Sequence, residues 1–455
     1  MGLPVRTASP FIQNNKKDNE MNLREKGLAG LLCLASGWAC HAEPFIDDSR
    51  TSLRYSQFYW KENDGGEVGP NRDEWVQAAL FSFNSGWYRD LFGVDYAYGL
   101  ADALHVGHEA TSISNLEAGR SVQSPHGIAK PVEAYLRGRL PVADGYLQLG
   151  LGKKSRRYGQ YYDDPFSRIL PPSTLGTDLE WRAEGRALRY SRLTGFSARN
   201  ESGWSDTLRN FRGQRIEALH LAAVEWTLPT TSRLTGEYSL AEDYLKVGSI
   251  KLEHSLALGN ERFIDLAGTL GAQQDAGRLF EHEGVRGLFE AERQHRARYT
   301  DLSLKYRTPT YTLGAAYNRV RGGDFDRPFF RQDHGTWNSS AKLFYYFGAE
   351  DEAMVKLMAG MDFSAFGLPQ LRLDSHYAFS DHAAGYRDFS RREFQSLLQY
   401  RFDGPLKGLS LAWLHNRFHT EGVPDGVDRR QASRGPAGII THHAERLYLN
   451  YVYSF

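Results

Sequence analysis

The sequence predicts an all-β fold: a transmembrane antiparallel β-barrel of about 18 strands, with short turns at one rim and long loops at the other. Three observations predict it. Past residue 42 the chain of 455 residues has no apolar run long enough for a spanning helix, which takes roughly 20 residues. Short stretches alternate apolar and polar side chains, as strands do when one face meets lipid and the other water. Tight turns and long polar loops then follow one another along the chain, an asymmetry that a soluble sandwich has no reason to keep.

Composition agrees. Lys and Arg number 55 against 55 Asp and Glu, a neutral balance that argues against a nucleic-acid partner. The 25 Tyr, 25 Phe and 9 Trp argue against disorder. Only alternate strand residues of a barrel meet lipid, so a chain that is polar on average remains compatible with membrane insertion.

The elements follow in order. From Met21, Arg24 and Lys26 precede an apolar stretch from Gly27 to Ala39 and small residues around Ala42, the layout of a secretory signal over residues 21–42. Residues 1–20 read as polar sequence upstream of the true start, and residues 43–455 as a single barrel domain. Cys33 and Cys40 both lie in the signal, so cleavage after Ala42 leaves no thiol chemistry, with 50 basic and 52 acidic residues. A lipid-attached Cys40 is the alternative, disfavoured by Gly37 and Trp38 before it.

At the C-terminus Leu447, Leu449, Tyr451, Tyr453 and Phe455 alternate with Arg446, Tyr448, Asn450, Val452 and Ser454. The same pattern places strands near 51–60, 74–84, 90–99, 131–140, 144–153, 177–184, 186–193, 215–226 and 232–241. A second set falls near 245–257, 261–272, 297–307, 310–320, 352–362, 370–380, 389–400, 408–418 and 445–455. Short turns are expected at 141–144, 228–231, 259–261 and 308–309, and the longest loops near 100–130, 154–176, 273–296, 321–351 and 419–444. An even strand number puts both termini on the short-turn, periplasmic rim. For a sheet, only a closed barrel satisfies every backbone hydrogen bond in lipid, and one of this girth leaves an aqueous channel. Passage of small solutes through the outer membrane is therefore the expected function.

Several motifs carry a family resemblance. Phe45-Ile-Asp-Asp-Ser49, Ser52 to Tyr59, Ser85-Gly86 with Gly93-Val-Asp95, Arg168-Ile-Leu-Pro-Pro-Ser-Thr174 and Tyr238 to Tyr244 occur in that order. Phe363-Ser-Ala-Phe-Gly-Leu-Pro369 and Gly404-Pro-Leu-Lys-Gly-Leu-Ser410 follow as two characteristic turns. Together they resemble the OprD-type substrate-specific porins of Gram-negative outer membranes. The resemblance implies an 18-stranded barrel whose third and seventh loops fold inward, and passive uptake of small, often carboxylate-bearing nutrients along a ladder of basic wall residues. One departure stands out. Where the first strand should carry a basic residue the chain has Ser56, so that strand is expected to add nothing to the ladder.

Strand parity nominates the wall. Arg137, Arg139, Lys305, Lys356 and Arg372 oppose apolar neighbours and should face the lumen, where Arg can offer a carboxylate two parallel hydrogen bonds. Equally, they can serve only to balance Glu133, Glu180, Glu184 and Asp374. In the third loop Asp163, Asp164, Arg168, Ser173 and Thr174 are candidates for a constriction with a transverse field, against a plain reading as turn caps. Asp324 and Asp326 of the seventh loop are similar candidates. Lys153, Lys154, Arg156 and Arg157 suggest either an anion-attracting vestibule or contacts to lipopolysaccharide phosphates. Trp60, Trp75, Trp181, Trp226 and Tyr453 suit the aromatic girdles.

No catalytic constellation stands out, so an enzyme is not expected, and neither cofactor nor metal is. His105-Val-Gly-His108-Glu109 offers metal-ligand types but sits at the edge of a Gly-rich loop, and His442-His443 reads as a solvated pair. The expected partners are small solutes, outer-membrane lipid and lipopolysaccharide, with the chain a monomer or weak homotrimer. The competing readings are a closed barrel acting as receptor or adhesin and, further off, a membrane hydrolase.

Overall fold

Along β19 (Thr441–Ser454) the leucine and tyrosines at 447, 451 and 453 are exposed, whereas His442, Ala444 and Arg446 are buried. The apolar set faces outward and the charged set inward, the reverse of a soluble protein and the arrangement lipid demands. The computed structural model describes residues 44–64, 71–158, 161, 168–280, 295–325, 328–333, 339–341, 343–425 and 440–455. The expected signal over residues 21–42, and the segment before it, lie outside these. Among the described residues no helix is long and apolar enough to cross a membrane.

All strands join one antiparallel sheet that closes on itself. β1 (Arg50–Asp64) pairs with β2 (Arg72–Asn84) on one side and with β19 on the other, from Ser52↔Ser454 to Asp64↔His442. Between them run β3 (Phe92–Val106), β4 (Ile128–Val142), β5 (Gly145–Lys154), β6 (Ser173–Ala183) and β7 (Arg186–Ser197). β8 (Asp206–Thr207) is a two-residue segment, and β7 pairs directly with β9 (Leu219–Thr227). Then come β10 (Ser232–Ala241), β11 (Leu245–Gly259), β12 (Arg262–Asp275), β13 (Arg296–Arg307), β14 (Tyr311–Arg321) and β15 (Ala353–Asp362). β16 (Leu371–Ser380), β17 (Tyr386–Arg401) and β18 (Leu409–Pro424) complete the ring. Setting β8 aside, the barrel has eighteen staves, each where alternation placed it.

The differences lie mostly at the long-loop ends. β4 starts at Ile128 and β18 runs to Pro424, beyond the alternation that sequence showed. There the outer face has left lipid and carries groups such as His419 and Glu421, so polarity no longer alternates. Residues 215–218 belong instead to the connection before β9, where an isolated bridge joins Arg209 and Arg215.

Turn chemistry explains several motifs. Asn260 and Glu261 both have positive φ, as a two-residue hairpin between right-twisted strands requires. Phe363–Phe366 is a single 3-10 turn capped by Asp362, whose carboxylate accepts from the Ser364 amide at 2.9 Å, and closed by left-handed Gly367. Gly404–Leu406 repeats the device with Asp403 as cap. At the terminus the Gly86 amide donates to the Phe45 carbonyl at 2.8 Å. A Cβ on Gly86 would fall 1.7 Å from the Pro44 carbonyl oxygen, so only glycine lets the short helix Pro44–Asp47 seat on this rim.

Candidate functional site in the barrel lumen

The inner wall first holds the loops. Glu74 on β2 is fully buried, and its carboxylate accepts from the Ser114 amide at 3.0 Å, the Asn115 amide at 3.3 Å and Asn115 Nδ2 at 2.8 Å. Asn115 Oδ1 in turn accepts from the Ile169 amide of the third loop at 2.8 Å. Ile169 and Leu170 pack there against Phe58, Trp60, Val76 and Ala101 of β1–β3. Arg156 donates two parallel bonds to Asp178 at 2.9 and 2.8 Å and a third to the Thr174 carbonyl at 2.7 Å. Glu393 on β17 accepts from the Phe344 and Tyr345 amides at 3.1 and 3.0 Å. Asp301 on β13 takes Ser339, Ser340 and Asn318 as donors. Buried charges of this kind are tolerable only because their hydrogen bonds are complete.

Apolar contacts finish the anchoring. Phe325, Phe329, Phe330 and Phe347 of the seventh loop join inward residues Leu193, Tyr299, Met354 and Phe418 in one buried cluster. Tyr161 of the third loop belongs to it as well. Beside it, Tyr135 lies flat over Gly150, where a Cβ would fall 1.5 Å from the phenol oxygen, and bonds Asp178 at 2.8 Å. Gly150→Ala is therefore expected to expel Tyr135 and lower stability by about 1–3 kcal/mol, the usual cost of overpacking. A lowered midpoint for loss of the compact, heat-modifiable band in gel electrophoresis would show it.

A cationic wall remains along β1, β17, β18 and β19. Phe58 stacks between Tyr448 (centroids 4.7 Å) and Trp60 (5.7 Å). Three guanidiniums lie over Trp60: Arg446 at 3.9 Å, Arg168 at 4.4 Å and Arg72 at 4.8 Å. Of these, Arg72 pairs with Glu62 at 2.6 Å. Below them Arg54 shares the inward face of β1 with Ser56, which bonds Asn450 at 2.7 Å. Among the described residues neither Arg54 nor Arg446 has an ion-pair partner, and the Nε of each lacks a hydrogen-bond acceptor. Arg54, Arg168, Arg401, Arg446 and Tyr448 face one cavity of about 490 Å³. Burial first, then Arg199, Arg446 and Arg72, hold the Arg168 guanidinium well below its ordinary value. Arg nevertheless stays charged at neutral pH, with Glu74 opposing that shift.

A second arc of the wall, β11 to β15, is mixed. Lys251, Lys305 and Lys356 share a second cavity of about 490 Å³ with Glu253, Asp265 and Asp301.

The residues nominated from sequence scatter over these surroundings. Arg137 pairs with Asp95 at 3.1 Å, donates to the Ser85 carbonyl and lies over Trp87. Arg139 meets Asp90 at 2.6 Å and the same ring. Both thus hold the β2–β3 turn, and Arg137→Gln is expected to cost about 1–3 kcal/mol of stability while leaving conductance unchanged, checked by the gel assay beside single-channel current. Arg372 pairs with Asp374 at 2.8 Å near the short-turn rim, whereas Lys305 and Lys356 face the mixed cavity. Ser173 and Thr174 open β6 rather than lying in the third loop, and Thr174 Oγ1 accepts from Arg156. Asp324 is buried and accepts from the Glu350 amide at 2.7 Å. Asp163, Asp164 and Asp326 lie outside the described residues.

Some readings change. The first strand does supply a base, Arg54, two residues from Ser56 and on the same face. Trp60 is no girdle residue: parity turns it inward, 2% exposed, while Trp75 and Trp226 face out. His442 is not solvated but buried, 2.8 Å from Glu62. Of the 153–157 cluster, Lys153 donates to the Trp204 carbonyl, and Lys154 and Arg156 meet Asp178. Sequence reasoning passed over Arg446, although β19 alternation had put it on the wetter face.

A closed barrel, apolar outside and charged within, is a β-barrel of the outer membrane. The chain belongs to the OprD family: the family model described as "outer membrane porin, OprD family" matches residues 43–431. The porin-like protein GalP of Pseudomonas putida is 24% identical over 392 residues, 82% of this chain and 87% of the relative. OccK9 (OpdG) of Pseudomonas aeruginosa superposes with a TM-score of 0.76 at 20% identity, over 91% of this chain and 100% of that one. OpdK of the same organism, solved with vanillate, gives 0.72 at 18% identity, over 90% and 100%. The protein is thus a substrate-specific porin of the outer membrane, and its family and fold are those of channels rather than enzymes.

Proposed function

We propose that the channel passes small carboxylate-bearing solutes, and that the third loop sets its narrowest point. The observation that carries this reading is the set of guanidiniums at Arg54, Arg168 and Arg446 turned to one cavity, the last two lying over Trp60. A carboxylate leaving water there exchanges its hydration for charge-assisted hydrogen bonds, and spaced donors let it advance in small steps. Tyr448 and Phe58, which line that cavity, suit the apolar body of such a solute. Lys305 and Lys356 on the second arc, with Asp301 beside them, supply charges of both signs along the wall, so that a zwitterion is oriented as it passes. That a relative of the same fold was solved with vanillate is in keeping with this reading. Export of the chain on the segment 21–42 completes the proposal.

Swelling of liposomes carrying the purified protein, in a panel of isosmotic carboxylates and neutral sugars, tests it. Faster swelling in carboxylates than in sugars of equal size supports the proposal. Equal rates overturn it, and a folded barrel that admits neither solute favours the closed receptor.

A further inference from the structure

Outside the lumen, the outer face of β18 and β19 bears a cluster that solute passage does not use. Parity turns His415, His443 and Glu445 outward, together with Trp413 and Leu447. His415 and Glu445 are direct cross-strand partners, and His443 sits two residues from Glu445 on the same face. His415 Nδ1 lies 2.6 Å from Glu445 Oε1, and His443 Nε2 lies 3.2 Å from that same oxygen. The three ligating atoms fall within 4.8 Å of one another, and the imidazole centroids are 5.3 Å apart. Trp413 Nε1 donates to the other carboxylate oxygen at 2.7 Å, which fixes the orientation of Glu445.

We propose that His415, His443 and Glu445 form a binding site for a divalent transition metal of the Zn2+ type, placed on the outer wall just above the apolar band. Two imidazoles and a carboxylate make a three-ligand set of the kind zinc accepts, with its fourth position left to water. Bond lengths of about 2.0–2.2 Å in a tetrahedron need ligand atoms about 3.3 Å apart. The observed 2.6 and 3.2 Å must open and the remaining separation, within 4.8 Å, must close toward that spacing, by side-chain rotation alone. Both imidazoles now approach a single oxygen by hydrogen bonds. A dication would take the place of the bridging hydrogens, and protons compete with it for the same ring nitrogens, so binding weakens as pH falls. Trp413 is a positioning residue of the sort that second-layer hydrogen bonds provide at metal sites. The charged outward neighbours are Lys61, paired with Glu445, and Arg417, paired with His443. Both are exposed, so solvent screens their repulsion.

Co2+ titrated into the folded, detergent-purified full chain, followed by visible absorption and by competition with Zn2+, is the direct test. One equivalent with tetrahedral bands, displaced by Zn2+, is expected. His415→Ala and His443→Ala should each weaken binding at least tenfold, and Trp413→Phe by roughly tenfold. These substitutions lie on the outer wall, so single-channel conductance should not move, and heat-modifiable mobility confirms the fold of each. Equal binding by the wild type and the doubly substituted chain, or no binding below millimolar metal, overturns the proposal.

Discussion

Arg54→Gln with Arg446→Gln is expected to weaken carboxylate block of the single-channel current by more than tenfold while leaving the barrel folded. The reasoning is local. Each arginine faces the same cavity, among the described residues without a carboxylate of its own, and so stands toward a passing anion. A hydrogen bond to a charged group contributes about 1.5–3 kcal/mol, and 1.4 kcal/mol is a factor of ten. Glutamine keeps a donor but removes the charge. Among the described residues neither guanidinium completes an ion pair, and buried Glu62 near Arg446 keeps Arg72 and His442, so stability should change little. Titration of block by a monocarboxylate checks the prediction, and an unchanged block constant in the doubly substituted protein would refute it.

Glu74→Ala should enlarge the pore and make its current noisier. One buried carboxylate holds two backbone amides and the Asn115 side chain, and Asn115 holds the third loop through the Ile169 amide. Alanine leaves these donors without an acceptor, at about 1–3 kcal/mol each, and the loops should seek water instead. Ile169 and Leu170 then lose their footing against Phe58 and Trp60. The expected record is a higher mean conductance with frequent transitions between levels, from a protein that still runs as a compact barrel. A single unchanged conductance level would mean that apolar packing alone positions the loop.

What was legible in the sequence follows from which partner each residue answers to. Lipid is the same partner for every stave, so Leu447, Leu357 and Leu313 announce their face without reference to any other strand. Turns are equally local: the caps Asp362 and Asp403 act on amides one or two residues away, which is why two family motifs proved to be turns. The lumen is different. Trp60 and Arg446 meet across the seam where first and last staves close, and no local pattern announces that contact. Nor does sequence distinguish a charge that holds a loop from one that faces water. Arg156 looked like a vestibule cation and is instead bonded to Asp178 and Thr174. Arg54 is the instructive miss, because the parity that places Ser56 inward places Arg54 inward too.

The central claim is that the pore presents positive charge to its solute. Reversal potential of the wild-type channel across a tenfold KCl gradient reads that charge directly. Anion selectivity, reduced in the Arg54→Gln, Arg446→Gln protein, is the predicted result; a cation-selective or unselective wild-type channel would contradict it.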